Sequence, residues 1–325
     1  MLLAVMDCRH RMFRRAKPTC IMGWRTCYFL PMFSLTPVAP VTVTPAWFQR
    51  AMAQHAVVHE LDVGGVTVTC RSWGESGAPG VVLVHGGAAH ARWWDHIAPM
   101  LATTHRVVAL DLSGHGDSDR RETYSLEAWA AEVMAVTRDS FDTPPVVIGH
   151  SMGGMVTLAA ATWHGTDLAG AIIIDTPINE ATPEEAAARD KVAFGPQKVF
   201  ATREEVVARF RVIPGQDTEP YIFDHIAEHS VRQVDGGWAW KFDPAIFAHE
   251  PLRPRELSRL QCRVALLRPE LGLVDTAMGE MIAERLGGRA RVIDIPAAEH
   301  HVMLDQPIAL VTGLRILLTR DVSAE

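Results

Sequence analysis

Residues 146–154 read Val146-Val147-Ile148-Gly149-His150-Ser151-Met152-Gly153-Gly154. The β-branched residues at the start predict a short buried strand, and the apolar stretch that continues to Trp163 predicts a helix. Ser151 lies between the two in a Gly-x-Ser-x-Gly pattern, and glycines allow a strand and a helix to pass closely because they have no Cβ. The order of strand, serine turn and helix is typical of a nucleophile elbow, which holds a serine hydroxyl exposed.

The bulk composition is that of an ordinary globular enzyme. The chain has 325 residues, of which 48% are hydrophobic and 21% charged, enough for a sizeable core in one or two domains. A net charge of -7 does not indicate binding to nucleic acid or to anionic lipid. No apolar run is long enough to span a membrane. Five cysteines without CxxC or zinc spacing favour a reduced, cytoplasmic setting.

The first 53 residues differ from the rest of the chain. They are rich in arginine, and prolines from Pro31 to Pro45 punctuate a segment that cannot sustain a helix or a strand ladder. Polar residues interrupt the apolar stretch that a secretory signal would need. We therefore expect residues 1–53 to be a disordered extension, although Pro45–Met52 has the pattern of a short helix laid on the core.

From about residue 54 the pattern predicts an α/β fold. Two strands separated by Gly64-Gly65 read as a hairpin. Short, mostly β-branched runs then alternate with helical stretches, which predicts a mostly parallel sheet with helices on both faces. The predicted strands are Val57–Val63, Val66–Arg71, Val81–Val84, Val107–Asp111, Val146–Ile148, Ala171–Ile174, Val264–Leu267 and Val292–Ile295. The predicted core helices are Trp93–Leu101, Leu126–Ser140, Met152–Trp163, Thr276–Leu286 and Ile308–Thr319.

The alternation breaks over residues 178–255, which we interpret as a helical cap inserted into a core made of residues 54–177 and 256–325. Capping boxes at Thr182–Glu185 and Thr202–Glu205 predict two helix starts, and a third helix is expected from Pro220 to Arg232. Only Trp238–Phe242 reads as a strand. The aromatic residues of this insertion are expected to form its small core and the roof of an apolar pocket.

An acyl-transfer serine needs donors for the developing oxyanion. The predicted strand Val81–Val84 ends in His85-Gly86-Gly87, whose small residues let backbone N–H groups point into a site. The N–H groups of Gly87 and Met152 are the candidate oxyanion hole. His85, His115 and His150 lie beside glycine turns and are expected to make supporting hydrogen bonds without transferring protons.

Together these motifs resemble the α/β-hydrolase fold superfamily, over about residues 55 to 320. The resemblance also rests on Asp111-Leu112-Ser113-Gly114-His115-Gly116-Asp117-Ser118 and on the late pair His300-His301. In similar hydrolases the catalytic histidine stands seven residues before a proline, here Pro307, which selects His300 as the base. His301 is then expected to pack behind it or to line the entrance.

The triad acid has three candidates. The commonest position in the family follows the penultimate strand, but Gly272 stands where the aspartate is expected. Some relatives place the acid after the strand that follows the nucleophile helix, and Asp175 ends that strand here. The end of a buried strand at the carboxyl edge of a sheet is where a site residue belongs. Asp175 is preferred, with Asp275 and Glu270 as alternatives.

The resemblance implies a serine hydrolase that cleaves an ester or thioester of a small, largely apolar substrate through an acyl-enzyme, with Ser151, His300 and Asp175 as the triad. It implies no metal and no organic cofactor. The alternatives are a carbon-carbon bond hydrolase, a cofactor-free perhydrolase, and a non-catalytic ligand receptor on the same fold. The sequence does not distinguish these alternatives, because the fold and the triad define the catalytic groups but not the substrate.

Overall fold

A computed structural model of the protein describes residues 44–178, 197–249, 260–286 and 290–319, together with Glu184, Ala187, Lys191 and Gly195. Its strands, in chain order, are β1 Val57–Asp62, β2 Thr67–Trp73, β3 Gly80–Val84, β4 Arg106–Leu110, β5 Val146–His150, β6 Gly170–Ile174, β7 Val231–Val234, β8 Gly237–Trp240, β9 Val264–Pro269 and β10 Arg291–Ile295. The helices are α1 Ala46–Met52, α2 Ala98–Leu101, α3 Leu126–Ser140, α4 Met152–His164, α5 Arg203–Val207, α6 Pro220–His229, α7 Thr276–Arg285, α8 Val302–Asp305 and α9 Pro307–Thr319.

Eight strands form one sheet in the order β1-β2-β4-β3-β5-β6-β9-β10. The two pairings that involve β2 are antiparallel, and the other five are parallel. Every residue of β3, β5 and β6 is buried, as expected for strands covered on both faces. The predicted α/β class with a mostly parallel sheet is therefore confirmed.

Two hydrophobic cores lie on opposite faces of the sheet. Along β3, Val81 and Leu83 face one core with α1, α2 and α9, whereas Val82 and Val84 face the other with α3, α4 and α7. This alternation follows from the two-residue period of a strand. The carboxyl ends of β3, β5, β6 and β9 consequently meet at one edge, where ligand sites of open α/β sheets form.

The helix predicted over Trp93–Leu101 is divided in two. A 3-10 turn covers Ala91–Trp94, and α2 begins only at Ala98. Pro99 lies in the first turn of α2, where its missing N–H is not needed, but its ring excludes a continuous helix through the preceding turn. The other predicted core helices agree with the structure to within one residue at either end.

The prediction of a disordered extension over residues 1–53 is wrong for its last ten residues, 44–53. Helix α1 occupies Ala46–Met52, and its Phe48 and Ala51 are buried against the core. The pattern of a short helix was present in the sequence, but an apolar face of two residues is too small to prove burial. Residues 1–43 lie outside the described part of the chain.

The inserted cap contains a hairpin as well as helices. Strands β7 and β8 pair antiparallel through a two-residue turn at Asp235 and Gly236, and Gly236 has a positive φ. Helix α6 therefore ends at His229, short of the predicted Arg232, because Val231 already belongs to β7. The signal was Asp235-Gly236, a dipeptide that favours hairpin turns. In the second predicted capping box the Thr202 side chain does accept from the Glu205 N–H, whereas the first box lies, except for Glu184, outside the described residues.

Candidate active site

Ser151 occupies the sharp turn between β5 and α4. Its backbone has φ 54° and ψ −120°, a conformation that non-glycine residues rarely adopt and that is found at functional sites. Its N–H donates to the Ile174 carbonyl across the neighbouring strand at 2.9 Å. A Cβ on Gly153 would collide with the His85 carbonyl oxygen, and one on Gly149 would collide with the carbonyl of Gly153. Both glycines are therefore required by the close passage of backbones.

The loop after β3 turns directly opposite this elbow. The Ala89 N–H donates to the Gly86 carbonyl at 3.2 Å, and Ala88 within that turn has a positive φ of 57°. A Cβ on Gly87 would lie 3.5 Å from Sδ of Met152, so Gly87 and the first residue of α4 are neighbours. The two candidate oxyanion donors are thus on facing turns.

His300 and Asp175 form a buried hydrogen-bonded pair. The distance from Nδ1 of His300 to Oδ2 of Asp175 is 2.6 Å, and their side chains are 4% and 0% exposed. Because an ionised carboxylate can only accept, His300 carries its proton on Nδ1, and Nε2 keeps a lone pair. Asp175 is also held by the N–H groups of Leu273 and Val274, which donate to its two oxygens at 2.8 Å each.

The environment of Asp175 favours the ionised carboxylate. Burial alone would raise its pKa, but the hydrogen bond and charge of His300 and the two backbone N–H donors together outweigh burial, so the pKa lies below the ordinary value. The structure thus presents a charged acceptor behind the imidazole. Asp175 itself has a positive φ of 42°, a second strained residue at the same edge of the sheet.

The two alternative acids lie elsewhere. Asp275 is exposed and caps α7, where its Oδ1 accepts from the Met278 N–H at 2.8 Å. Glu270 is also exposed and accepts from the Ala297 N–H at 2.7 Å. Of the three candidates, Asp175 is the residue that contacts His300.

His150 connects the elbow to the histidine loop. Its Nε2 donates to the backbone carbonyl of His300 at 2.9 Å, and the two rings are 4.7 Å apart. Burial, followed by the charge of His300, lowers the pKa of His150 to about 3, so it remains neutral. The residue before Ser151 therefore fixes the position of His300, as expected for a supporting rather than a proton-transferring histidine.

His301 makes a different set of contacts from His300. Its Nε2 donates to the Ile213 carbonyl at 3.2 Å, and its ring lies 5.3 Å from that of Trp93. Burial lowers its pKa to about 2, with smaller contributions from His150 and His300. Its backbone N–H donates to Oε1 of Gln216 in the cap at 2.7 Å. His301 thus packs beside the candidate base and joins the cap to the core.

Asp111 and His85 brace the loops around the site. The carboxylate of Asp111 accepts from the N–H groups of Ala91 at 2.6 Å and Asp117 at 2.9 Å. Burial raises its pKa to about 6, against the opposing effect of those N–H donors. His85 donates from Nδ1 to the Gly86 carbonyl and accepts at Nε2 from the Leu112 N–H. These contacts hold the loops after β3 and β4 in place.

The aromatic residues of the cap divide into two groups. Phe247 faces the site, since a Cβ on Gly87 would lie 3.6 Å from its ring. Phe223 and Trp240 instead pack against Phe210 within the cap, with ring separations of 5.1 and 6.0 Å. The sequence predicts that these aromatic residues form both a small core and a pocket wall. In the structure, different residues fill the two roles.

Sequence reasoning missed the side-chain contacts that tie the cap to the loop after β3. His225 of α6 contacts Asp95 at 3.1 Å, and the buried His90 is hydrogen-bonded to Ser230 at 2.9 Å. The partners are 130 and 140 residues apart in the chain, and no local pattern marks either pair.

The sheet order, the elbow and the buried histidine-aspartate pair together define a hydrolase fold. The chain belongs to the alpha/beta hydrolase family, whose sequence profile matches residues 81–313. It is 24% identical over 252 residues to the Mycobacterium tuberculosis protein named lipase LipV, covering 75% of this chain and 95% of that protein. It is 26% identical over 270 residues to a Danio rerio serine hydrolase-like protein, covering 73% and 81%.

Solved structures agree on the fold. E-2-(acetamidomethylene)succinate hydrolase superposes with a TM-score of 0.70 at 24% identity, covering 82% of this chain and all of that one. Among the residues described here, no helix combines the length and hydropathy needed to cross a membrane.

Proposed function

We propose that this protein is a serine hydrolase that cleaves an ester or thioester of a small, largely apolar substrate through an acyl-enzyme. The observation that carries the proposal is the buried hydrogen bond between His300 and Asp175, next to the strained turn that presents Ser151. Esterase and lipase names among the relatives, such as lipase LipV, support the same reaction class.

In the proposed mechanism Ser151 attacks the carbonyl carbon while Nε2 of His300 takes its proton. Asp175 keeps the proton of His300 on Nδ1 and stabilises the imidazolium that forms. The N–H groups of Gly87 and Met152 hold the oxyanion, and His300 then returns a proton to the leaving group. A water molecule, deprotonated by His300, releases the acyl group in a second addition and elimination.

The apolar surroundings support a small, apolar acyl or alcohol group. Phe247 and the thioether of Met152 both lie next to the Gly87 turn, where the reacting carbonyl would be held. Such walls remove hydrocarbon from water while the N–H groups bind the polar centre.

Purified protein is tested with p-nitrophenyl esters of increasing acyl length and with a fluorophosphonate that labels activated serines. We expect turnover and covalent labelling, and Ser151→Ala should lose both, with kcat lowered by about 10⁴ or more. Ser140→Ala, a change at the last residue of α3 and outside the elbow, is the matched control. Labelling without turnover on any ester or thioester would instead favour a ligand receptor, and unchanged turnover in Ser151→Ala would exclude the mechanism.

A further inference from the structure

We propose that His150, His300 and His301 form an inhibitory binding site for Zn²⁺ that captures the histidine assigned as the base. The three side chains are buried, and one ring nitrogen of each lies within 4.8 Å of those of the other two. Imidazole nitrogens are preferred zinc ligands, and three histidines with an open fourth position are an established zinc arrangement. The inhibitory effect rests on the proposed function, whereas binding of the metal does not.

The hydrogen bonds leave each ring with one nitrogen lone pair. His300 donates from Nδ1 to Asp175, His150 donates from Nε2 to the His300 carbonyl, and His301 donates from Nε2 to the Ile213 carbonyl. The nitrogens that retain a lone pair are therefore Nε2 of His300 and Nδ1 of the other two.

Each imidazole thus donates its N–H to an oxygen, which is the arrangement found around histidines that ligate metals. Such outer oxygens fix the ring orientation and increase the basicity of the nitrogen that binds. The oxygen behind His300 belongs to a carboxylate, whose charge further favours a cation on the opposite side of the ring.

His301 supplies an independent indication of a ligand. Its Nδ1 is buried and has no hydrogen-bond partner among the described residues. A buried acceptor without a partner is unfavourable, and a metal ion bound to that lone pair would remove the cost. His301 is held in place through its backbone, whose N–H and carbonyl both bond to the side chain of Gln216.

Only small movements are needed to close the site. Zinc binds imidazole nitrogen at about 2.0–2.1 Å, so the ligating nitrogens of a tetrahedral site lie about 3.3 Å from one another. Ring nitrogens that lie within 4.8 Å of one another must therefore approach by up to about 1.5 Å, which rotations of the side chains supply. Ser151, adjacent to His150, or water would take the fourth position. The ion occupies the nitrogen that would accept the serine proton, so binding blocks the reaction without any change in oxidation state.

The test combines calorimetry and kinetics on the full chain. Zn²⁺ titrated into the protein should bind at one site, lower ester turnover in step with occupancy, and be reversed by a chelator. His301→Gln retains an N–H that can reach the Ile213 carbonyl but removes the imidazole ligand, and we expect its zinc affinity to fall by about 10-fold or more. Inhibition is measured relative to the variant's own rate without metal.

The matched control is His164→Gln, a half-buried histidine at the end of α4. It should bind Zn²⁺ as the parent does, and His150→Gln should weaken binding as His301→Gln does. Equal affinity in parent, His301→Gln and His150→Gln, or no stoichiometric binding by the parent, would overturn the proposal. Zinc binding by a protein without ester turnover would leave the metal site standing and reject the proposed function.

Discussion

The carboxylate of Asp175 lies directly against Gly272, since a Cβ on Gly272 would stand 2.5 Å from Oδ2 and 2.6 Å from Oδ1. Gly272 begins the turn whose next two N–H groups bind those oxygens. A carboxylate from the end of β6 thus occupies the space beside the turn after β9. In the commonest arrangement of the family, the turn itself carries the acid. In this protein, the carboxylate beside the turn comes from the end of the neighbouring strand.

The first prediction concerns the identity of the acid. Asp175→Asn should lower kcat by about 10⁴, because the amide favours the wrong imidazole tautomer and cannot stabilise the imidazolium. Asp275→Asn and Glu270→Gln should remain within a few-fold of the parent, since both side chains are exposed and accept hydrogen bonds from backbone N–H groups. The melting temperature is measured alongside kcat, because an amide NH₂ would also face one of the two N–H donors. If Asp175→Asn keeps a near-normal kcat and one of the other two variants loses it, the residue changed in that variant is the triad acid.

The second prediction concerns Gly272 itself. Gly272→Ala should displace the Asp175 carboxylate and lower kcat by about 10²-fold, because a misplacement of about 1 Å at a catalytic constellation has effects of that size. Gly215→Ala is the matched control, since its Cβ would meet nothing within 4 Å and its φ is not positive. Equal kcat values for the two variants at equal stability would show that the turn does not position the acid.

The elbow could be predicted because everything it requires is contiguous in sequence. Ser151, its flanking glycines and the buried strand before them are all local signals. The sequence favours Asp175 over two other candidates for the acid that orients His300, and in the structure the two side chains are hydrogen-bonded. It could not be settled from sequence, because the choice depends on how β6 and β9 are juxtaposed.

Contacts between distant segments were beyond sequence reasoning for a related reason. Asp95 pairs with both Arg71 and His225, but a charged residue in a loop after a strand has many possible partners. The hairpin of β7 and β8 was a different kind of miss. The dipeptide Asp235-Gly236 favours a hairpin turn, but the pattern before it predicts a helix that continues to Arg232.

The third prediction is a loss of stability in mild acid. Buried histidines that stay neutral in the folded protein take up protons on unfolding, so stability falls as pH drops from about 6.5 towards 4. Burial lowers the pKa to about 4 for His85 and His96, about 3 for His150 and about 2 for His301. Asp111 and Asp305, whose pKa values burial raises to about 6, act in the opposite direction between about 3.8 and 6. The four histidines outnumber these two acids.

His96→Gln tests this prediction. Nε2 of His96 donates to the Met303 carbonyl at 2.7 Å, and an amide N–H can take its place without titrating. Between pH 6.5 and 4 the free energy of unfolding should depend on pH less steeply in the variant, by close to one proton or about 1.4 kcal/mol per pH unit. Chemical denaturation at several pH values measures the two slopes. Identical slopes would mean that His96 titrates normally in the folded state.

The fourth prediction concerns α1, which belongs to the folded protein. Phe48 is 7% exposed and packs its ring 4.8 Å from that of Tyr221 and 6.0 Å from that of His96. Phe48→Ala should lower the free energy of unfolding by about 3 kcal/mol, the lower end for a buried phenylalanine because the helix is short and peripheral. Arg50→Ala, on the exposed side of the same helix, should stay within about 0.5 kcal/mol of the parent. Denaturant unfolding of both variants compares them under one condition. A loss below about 1 kcal/mol for Phe48→Ala would show that α1 detaches from the core in solution, and residues 44–53 would then return to the extension that the sequence predicted.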